Sequence, residues 1–590
     1  MPTLNWIGKE AVVNHHQQVP FRLLKDVPDL ACGDPGSGNL IVQGDNLEAL
    51  KALLPYYAGQ VKCIYIDPPY NTGNEGWAYN DNVNSPVIRD WLGKTVGKEG
   101  ETLDRHDRWL CMMYPRLALL RQFLSADGAI FVSIENNELF NLKLVCDEIF
   151  GAQCFVANIV WQRTYSPRND SKGIPAETDS VLVYGKRPGW QPNKLERTPE
   201  MNGRYASPDN DPRPWSSGDA SAAGASNHTG MVYAVQHPIT GKLLYPINGR
   251  HWTYGQEQML TIMNEWASYE LRPIDDFEKR VDICGTRQDK VPTTIHAILL
   301  TRPFDDVKDE TKKRYDKGVW PFLYFTGNGR GGIRCKRYLD VMGDRLVTNL
   351  WFYSEVGHTD EASKELKAIF DGKTAFDTPK PTRLLERVFQ IATNPGDLVL
   401  DSFAGSGTTG HAVQKMNTVA SDKPPRRFIL VEMEPKIARE VTAERVRRVA
   451  QGHTNAKGET VTARGGGFRY CELGEALFDE TGMIRETVKF SELARHVYFS
   501  ETGEPLPRAR VLNTPFLGAC RGVGIYLLYN GILGDESANG GNVLTRQILA
   551  KLPEFDGPKV IYCAGCLVSR DRLQAAHITV RQTPYEIKVS

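Results

Sequence analysis

Asp67-Pro68-Pro69-Tyr70 closes a mostly apolar run, residues 61–66. Two adjacent prolines fix φ and supply no N–H, so a strand ladder cannot continue through them and a stiff turn must follow. Asp67, the Pro68 carbonyl and the Tyr70 ring are thereby presented together just past the carboxyl end of a strand. In open α/β sheets that edge is where ligands bind. Two acceptors beside a flat aromatic suit a flat ring that bears an amino group. The plainer alternative is a proline-rich turn with a capping aspartate, and the rest of the chain has to separate the two.

A second constellation lies more than 300 residues on. Residues 397–413 run strand, glycine turn, helix, with Asp401-Ser402-Phe403-Ala404-Gly405-Ser406-Gly407 at the turn. Glycines there allow a tight bend and close approach of a ligand to the helix N-terminus. Gly410 completes a Gly-x-Gly-x-x-Gly spacing, and no lysine follows it, so this is not a phosphate-binding P-loop. About 20 residues further, residues 427–432 form another strand that ends in Glu432. In nucleoside-binding folds an acid at that place holds a ribose diol. Strand, glycine turn, helix, strand and acid together read as a nucleoside site.

The elements that must position these groups alternate. Residues 39–43 read as a strand that runs into Gly44-Asp45-Asn46 and a helix with Leu47, Leu50, Leu53 and Leu54 at helical spacing. Asp45 or Asn46 can cap that helix. Helices follow at residues 109–124 and 137–150, with a strand at 129–134 between them. The α/β pattern resumes with a helix at 383–393, for which Thr382 can serve as N-cap, and continues through a basic helix at 437–449. The fold class is therefore α/β, with a Rossmann-like, mostly parallel sheet. Residues 74–105 are a long stretch with few apolar anchors soon after Tyr70, of the kind that forms a lid over a site or is disordered.

From residue 161 to about 350 periodicity weakens and Pro, Gly, Asn, Ser and Arg rise, which reads as a loop-rich α+β insert. Within it residues 216–226, rich in Ser, Ala and Gly, are expected to be mobile. Residues 324–338 combine aromatics and glycines with Arg330, Arg334, Lys336 and Arg337, the chemistry of a backbone that approaches phosphates while cations neutralise them. The predicted organisation is a leader over 1–38, a first sheet half over 39–160, the insert over 161–350, a second sheet half over 351–450, a linker over 451–467 and a small C-terminal α/β domain over 468–590.

Composition limits the function classes. A chain of 590 residues is too long for one core. Its net charge of zero argues against a uniformly basic nucleic-acid binder but not against a local basic cleft. Nothing approaches the ~20 apolar residues of a membrane span, and the first residues lack a secretory pattern. The eleven cysteines are scattered and suit a reducing cytoplasm. Cys563 and Cys566 form a lone CxxC without a second pair, and no metal site is expected.

Asp-Pro-Pro-Tyr at 67–70, followed by the insert and then Phe403-x-Gly405-x-Gly407, resembles the amino-methyltransferases of DNA that use S-adenosylmethionine. The order, with the target-base motif before the glycine turn, looks like that family's permuted β group. Residues 44–50, 65–73, 355–358, 376–381 and 401–410 are similar to the modification subunits of type III restriction–modification systems. The resemblance implies a circularly permuted class I methyltransferase fold that places a methyl group on adenine N6 of a flipped-out base in DNA. Phe403, Gly405 and Gly407 would line the cofactor beside Asp401, and Glu432 would bind its ribose hydroxyls. Asp45 would accept from the cofactor's adenine amino group, and Lys380, Pro381 and Thr382 would lie near its methionine end. Asp67 and the Pro68 carbonyl, held by the stiff Pro69 turn, would accept the two N6 hydrogens of the target, and Tyr70 would stack on its ring.

Rival readings are cytosine N4 or an RNA adenine as target, a recognition subunit that delivers a partner nuclease to DNA, and a dinucleotide oxidoreductase. The last leaves Asp-Pro-Pro-Tyr unexplained. Partners implied by the resemblance are double-stranded DNA, a second copy of the chain and a helicase–nuclease restriction subunit, with no membrane. The expected location is the bacterial cytoplasm, at the nucleoid.

Overall fold

The computed structural model describes residues 3–71, 93–94, 105–166, 173–455, 458–507, 513–529, 532–533 and 541–584. Almost all of the expected lid over 74–105 lies outside the described residues. Two compact units emerge: Met1–Asn193 with Val347–Ser590, and Lys194–Leu346.

The first unit is organised on a ten-stranded sheet. In spatial order its strands are Arg22–Asp26, Arg469–Ala476, Leu40–Gln43, Arg427–Glu432, Leu398–Asp401, Val61–Ile66, Leu124–Ile134, Thr178–Gly185, Phe155–Gln162 and Leu350–Trp351. The strands from Arg469–Ala476 to Leu124–Ile134 run parallel, and Thr178–Gly185 is antiparallel to both of its neighbours. Ile64, Ile66, Ile130, Val132, Leu398 and Leu400 share one core cluster with Leu50, Leu53, Met113 and Leu117 of the helices Asn46–Tyr57 and Arg105–Phe123. The alternate residues Cys63, Tyr65, Phe131 and Val399 are as deeply buried. Both faces of the sheet are covered, as parallel sheets require. On the helix Thr382–Ala392, Leu384, Leu385, Val388, Phe389 and Ile391 make the buried stripe, and this helix packs on the strands that end at Ile66 and Ile134.

The α/β class and the alternation of the sheet halves match the sequence reading, while the boundaries differ. Residues 178–185 belong to the sheet and not to the insert. The apolar stretch Val181-Leu182-Val183-Tyr184 pairs on both sides, and it outweighs the loop-like composition of the preceding residues. At the other end Arg469–Ala476, polar in sequence, is held by backbone pairing between Leu40–Gln43 and Arg22–Asp26. The leader and the start of the C-terminal region therefore extend the main sheet. The remaining C-terminal strands, Phe516–Cys520, Val523–Leu527, Lys559–Cys563 and Ile578–Gln582, form a separate four-stranded sheet. One of its core clusters includes Phe21 and Leu477.

The Lys194–Leu346 unit opens and closes on a paired stem. Leu195 and Arg345 exchange N–H···O bonds of 2.9 and 2.8 Å. Its core is aromatic, with Trp215, Tyr233, Trp252, Trp266, Tyr324 and Phe325 all buried. Aromatics supply large buried area from few residues, which a segment so poor in aliphatic runs needs. Residues 216–226, expected to be mobile, contribute to the strands Trp215–Asp219 and Ser221–Ala223. Small side chains make this possible: a Cβ on Gly218 would lie 2.6 Å from Arg337 Nε across the pairing with Ile333–Tyr338.

Candidate active site

The strands Val61–Ile66 and Leu398–Asp401 are direct parallel neighbours, with Val399 opposite Cys63 and Leu400 opposite Ile64. The two motifs, more than 300 residues apart in sequence, thus leave the sheet side by side at its carboxyl edge. A cleft of about 750 Å³ opens there, lined among others by Asp67, Pro68, Pro69, Tyr70, Lys380, Asp401, Phe403 and Gly405. That volume lies within the range of small-molecule sites.

The Asp-Pro-Pro-Tyr turn is braced from below. The Trp109 indole donates to the Pro69 carbonyl at 2.7 Å. Asn71, in the left-handed region at φ 58° and 2% exposed, donates from Nδ2 to the Arg105 carbonyl at 3.1 Å and to Glu138 Oε1. Asparagine tolerates that backbone conformation better than most residues. Glu138, fully buried, also meets His106 Nδ1 at 2.6 Å and accepts from Asn141 Nδ2 at 2.9 Å. Burial, followed by the charge of Asp67, pushes the Tyr70 phenol well above its ordinary pKa. Tyr70 therefore presents a neutral ring. Lys380 Nζ donates to Asp67 Oδ2 at 2.5 Å and lies 4.9 Å from the centre of the Tyr70 ring.

The glycine turn needs its glycines. Gly405 and Gly407 have φ of 48° and 76°. A Cβ on Gly405 would lie 3.1 Å from the Phe376 ring, and one on Gly407 would lie 3.0 Å from the Thr442 carbonyl oxygen. One on Gly410 would lie 2.7 Å from Val446 Cγ2, so the third glycine serves helix packing. Asp401 is buried beneath the turn. Its Oδ1 accepts from the Phe403 N–H at 3.0 Å and its Oδ2 from the Thr409 hydroxyl at 2.6 Å. Burial pushes its carboxyl up to about 7, against the pull of those two donors.

Several residues assigned to the cofactor from the sequence stand behind the cleft wall. Glu432, 1% exposed, accepts from the N–H groups of Gly405 and Glu434, each at 2.9 Å, and so holds the shape of the turn. Thr382 donates its hydroxyl to Glu365 at 2.7 Å. Glu365 also lies 3.4 Å from the fully buried Arg445, whose other nitrogen donates to Ser406 Oγ at 3.0 Å and Thr408 Oγ1 at 2.8 Å. Pro381 is buried against the place where a Gly357 Cβ would be. Asp45 caps the helix Asn46–Tyr57 through bonds of 2.9 and 3.2 Å from Leu47 and Glu48, and its second oxygen accepts from Arg116 at 2.9 Å. The structure thus gives Asp45 the plain capping role and does not bring it into the cleft wall.

Asp179, Arg163, Glu135 and Trp161 are cleft residues that escaped the sequence reading. Asp179 is 5% exposed and lies 3.3 Å from Arg163, which also reaches Glu135 at 3.4 Å. Burial pushes the Asp179 carboxyl up to about 6, opposed by Arg163 and Lys380. Trp161 donates its indole N–H to the Gly357 carbonyl at 3.0 Å and forms part of the same wall. An acid opening the apolar stretch 181–184 was the only local signal for Asp179.

In the other unit, residues 323–338 form a hairpin of Leu323–Phe325 and Ile333–Tyr338. Arg330 and Arg337 are exposed, and Arg334 pairs with Asp219 at 2.9 Å. Lys336 departs from the expectation of a phosphate contact. Its side chain is fully buried, with Nζ 2.6 Å from both Asp209 and Asp211. It lies on the face of the strand opposite Arg337, and period-2 alternation sends the two neighbours to core and solvent.

A family model described as DNA methylase matches residues 61–444. Over 475 residues the chain is 31% identical to the Mod subunit of the type III restriction–modification enzyme StyLTI of Salmonella typhimurium, covering 76% of this chain and 62% of that one. The Mod subunit of the type III enzyme EcoP15I of Escherichia coli is 29% identical over 458 residues, 73% of this chain and 64% of that one. The type II methyltransferase M.KpnI of Klebsiella pneumoniae is 28% identical over 443 residues, 74% and 89% of the respective chains. The matches span less than two thirds of the length of the two type III relatives. The family match covers both strand ends of the cleft and the insert between them, and the chain belongs to the DNA methylase family.

Proposed function

We propose that this protein transfers a methyl group from S-adenosylmethionine to the N6 amino group of an adenine flipped out of double-stranded DNA, as the modification subunit of a type III-like restriction–modification system. The observation that carries this reading is the register of Val61–Ile66 against Leu398–Asp401, which brings an amino-ring site and a nucleoside-type turn into one cleft. S-adenosylmethionine would supply an electrophilic methyl group on its sulfonium. The residues present suit it: Phe376 and Phe403 offer ring faces, Ala404–Ser406 offer backbone at a turn that excludes side chains, and Lys380 offers a cation.

A base inside a duplex cannot reach this cleft and has to leave the stack at a cost of a few kcal/mol. Stacking on the neutral Tyr70 ring, worth roughly 1–3 kcal/mol, offsets part of that cost. An aromatic amine is a weak nucleophile because its lone pair is delocalised into the ring. Acceptance of its two hydrogens by Asp67 and the Pro68 carbonyl turns the nitrogen toward tetrahedral geometry and frees the lone pair. The Trp109, Asn71 and Glu138 brace fixes both acceptors beforehand, so that positioning and electrostatics supply the catalysis.

Single-molecule sequencing of DNA from cells expressing the chain tests this reading. It is expected to show N6-methyladenine within one short recognition sequence. N4-methylcytosine would move the target, and unmodified DNA would overturn the reading. The insert is assigned to DNA recognition, and a helicase–nuclease partner would supply cleavage. Arg330→Ala with Arg334→Ala removes two cations from the hairpin and is expected to flatten the log–log salt slope of DNA binding by up to about 1.8. An unchanged slope in binding titrations across salt concentrations would take this hairpin off the DNA surface.

A further inference from the structure

Lys380 stands where the target base would have to be. Its ammonium is 2.5 Å from Asp67 Oδ2 and 4.9 Å from the centre of the Tyr70 ring. These are the acceptor and the ring face that the proposed reaction reserves for an amino-bearing base. An ammonium reproduces both interactions, since it donates to a carboxylate and is attracted to an aromatic face. Base and lysine therefore compete for one place. The pair is well shielded, with side-chain exposures of 12% for Lys380 and 24% for Asp67, so displacing the lysine leaves a cation to be rehoused. The carboxylates that act on the same space are Asp67, Asp179 and Asp401. Pro379 and Pro381 flank Lys380 and stiffen its backbone. Any relocation falls to its four-carbon side chain, which is flexible and carries a compact charge. The glycine turn lines the same cleft. A donor bound there that bears an amino-acid carboxylate offers the cation a new partner.

We propose that Lys380 is a placeholder that closes the base site until the carboxylate of a bound methyl donor draws it away, so that base capture depends on prior cofactor binding. This rests on the methyltransferase reading above. It goes further in making one side chain the link between the two halves of the cleft. The device keeps Asp67 charge-paired while no base is present. It also prevents the protein from holding a base out of the duplex without a methyl group to transfer.

The test uses the full chain and a duplex carrying 2-aminopurine at the adenine mapped by sequencing. Its fluorescence rises when the base leaves the stack. With the wild-type protein the rise is expected only when sinefungin, an unreactive amino-acid-bearing analogue of the donor, is present. With Lys380→Met the rise is expected with or without sinefungin, while sinefungin binding weakens by tenfold or more. Lys380→Arg, which keeps the charge, is expected to restore the dependence. The placeholder is overturned if the wild-type protein flips the base equally without sinefungin, or if the Met variant binds sinefungin and still requires it. Absence of any methylated base in the sequencing experiment would instead overturn the underlying reading, and the placeholder with it.

Discussion

Replacing Asp67 by alanine is expected to lower the rate of methyl transfer by at least about 10²–10³-fold while leaving cofactor binding unchanged or slightly tighter. Removal of one preorganised polar partner from a transition state costs about that much in other enzymes, and here the partner is ionic. The loss should fall on kcat, because in the proposed mechanism Asp67 acts on the amino nitrogen as it becomes tetrahedral. Cofactor binding is spared because Asp67 pairs with Lys380, and its removal releases the Lys380 cation from its 2.5 Å pair. Single-turnover methylation with labelled donor and calorimetric titration of sinefungin read the two effects separately. Retained activity would remove Asp67 from the chemistry. Loss of both activity and sinefungin binding would mean that the strand end had lost its shape.

Lys336→Ala is expected to destabilise the Lys194–Leu346 unit by about 3–5 kcal/mol, the cost of leaving buried charge uncompensated. Both Asp209 and Asp211 lean on the one ammonium, and the Trp215 ring lies 5.1 Å from it. Arg337→Ala, one residue along the same strand and exposed, is expected to change stability by no more than about 0.5 kcal/mol. Limited proteolysis and urea unfolding of the full chain give the comparison. Equal small effects from the two substitutions would contradict the burial of Lys336.

The contrast between these neighbours shows where reading the chain reached its limit. Asp67 to Tyr70 and Asp401 to Gly410 were legible because each is a contiguous strand–turn pattern whose chemistry follows from adjacent residues. Their juxtaposition could be demanded from the sequence, and the pairing of Leu400 with Ile64 meets that demand. Lys336 was not legible because its partners are acids more than 120 residues away in a proline-rich stretch that resembles loop. Glu138 was hidden for the same reason. A glutamate on a helix reads as solvent-facing until Asn71 and His106 arrive from elsewhere. Asp45 shows the opposite difficulty. Its local capping role was visible and is what the structure displays, whereas the cofactor role came only from resemblance.

The two-residue stem at Leu195 and Arg345 has an evolutionary consequence. A unit whose ends are bonded to each other charges almost nothing to the rest of the chain when its length changes, because loop-closure entropy grows only slowly with the residues enclosed. Its own aromatic core travels with it. Under the proposed function, descendants of this chain could trade or remodel the segment 194–346 by recombination at the stem and inherit a new vocabulary of DNA sites, with the proposed methyl-transferring cleft passed on unaltered.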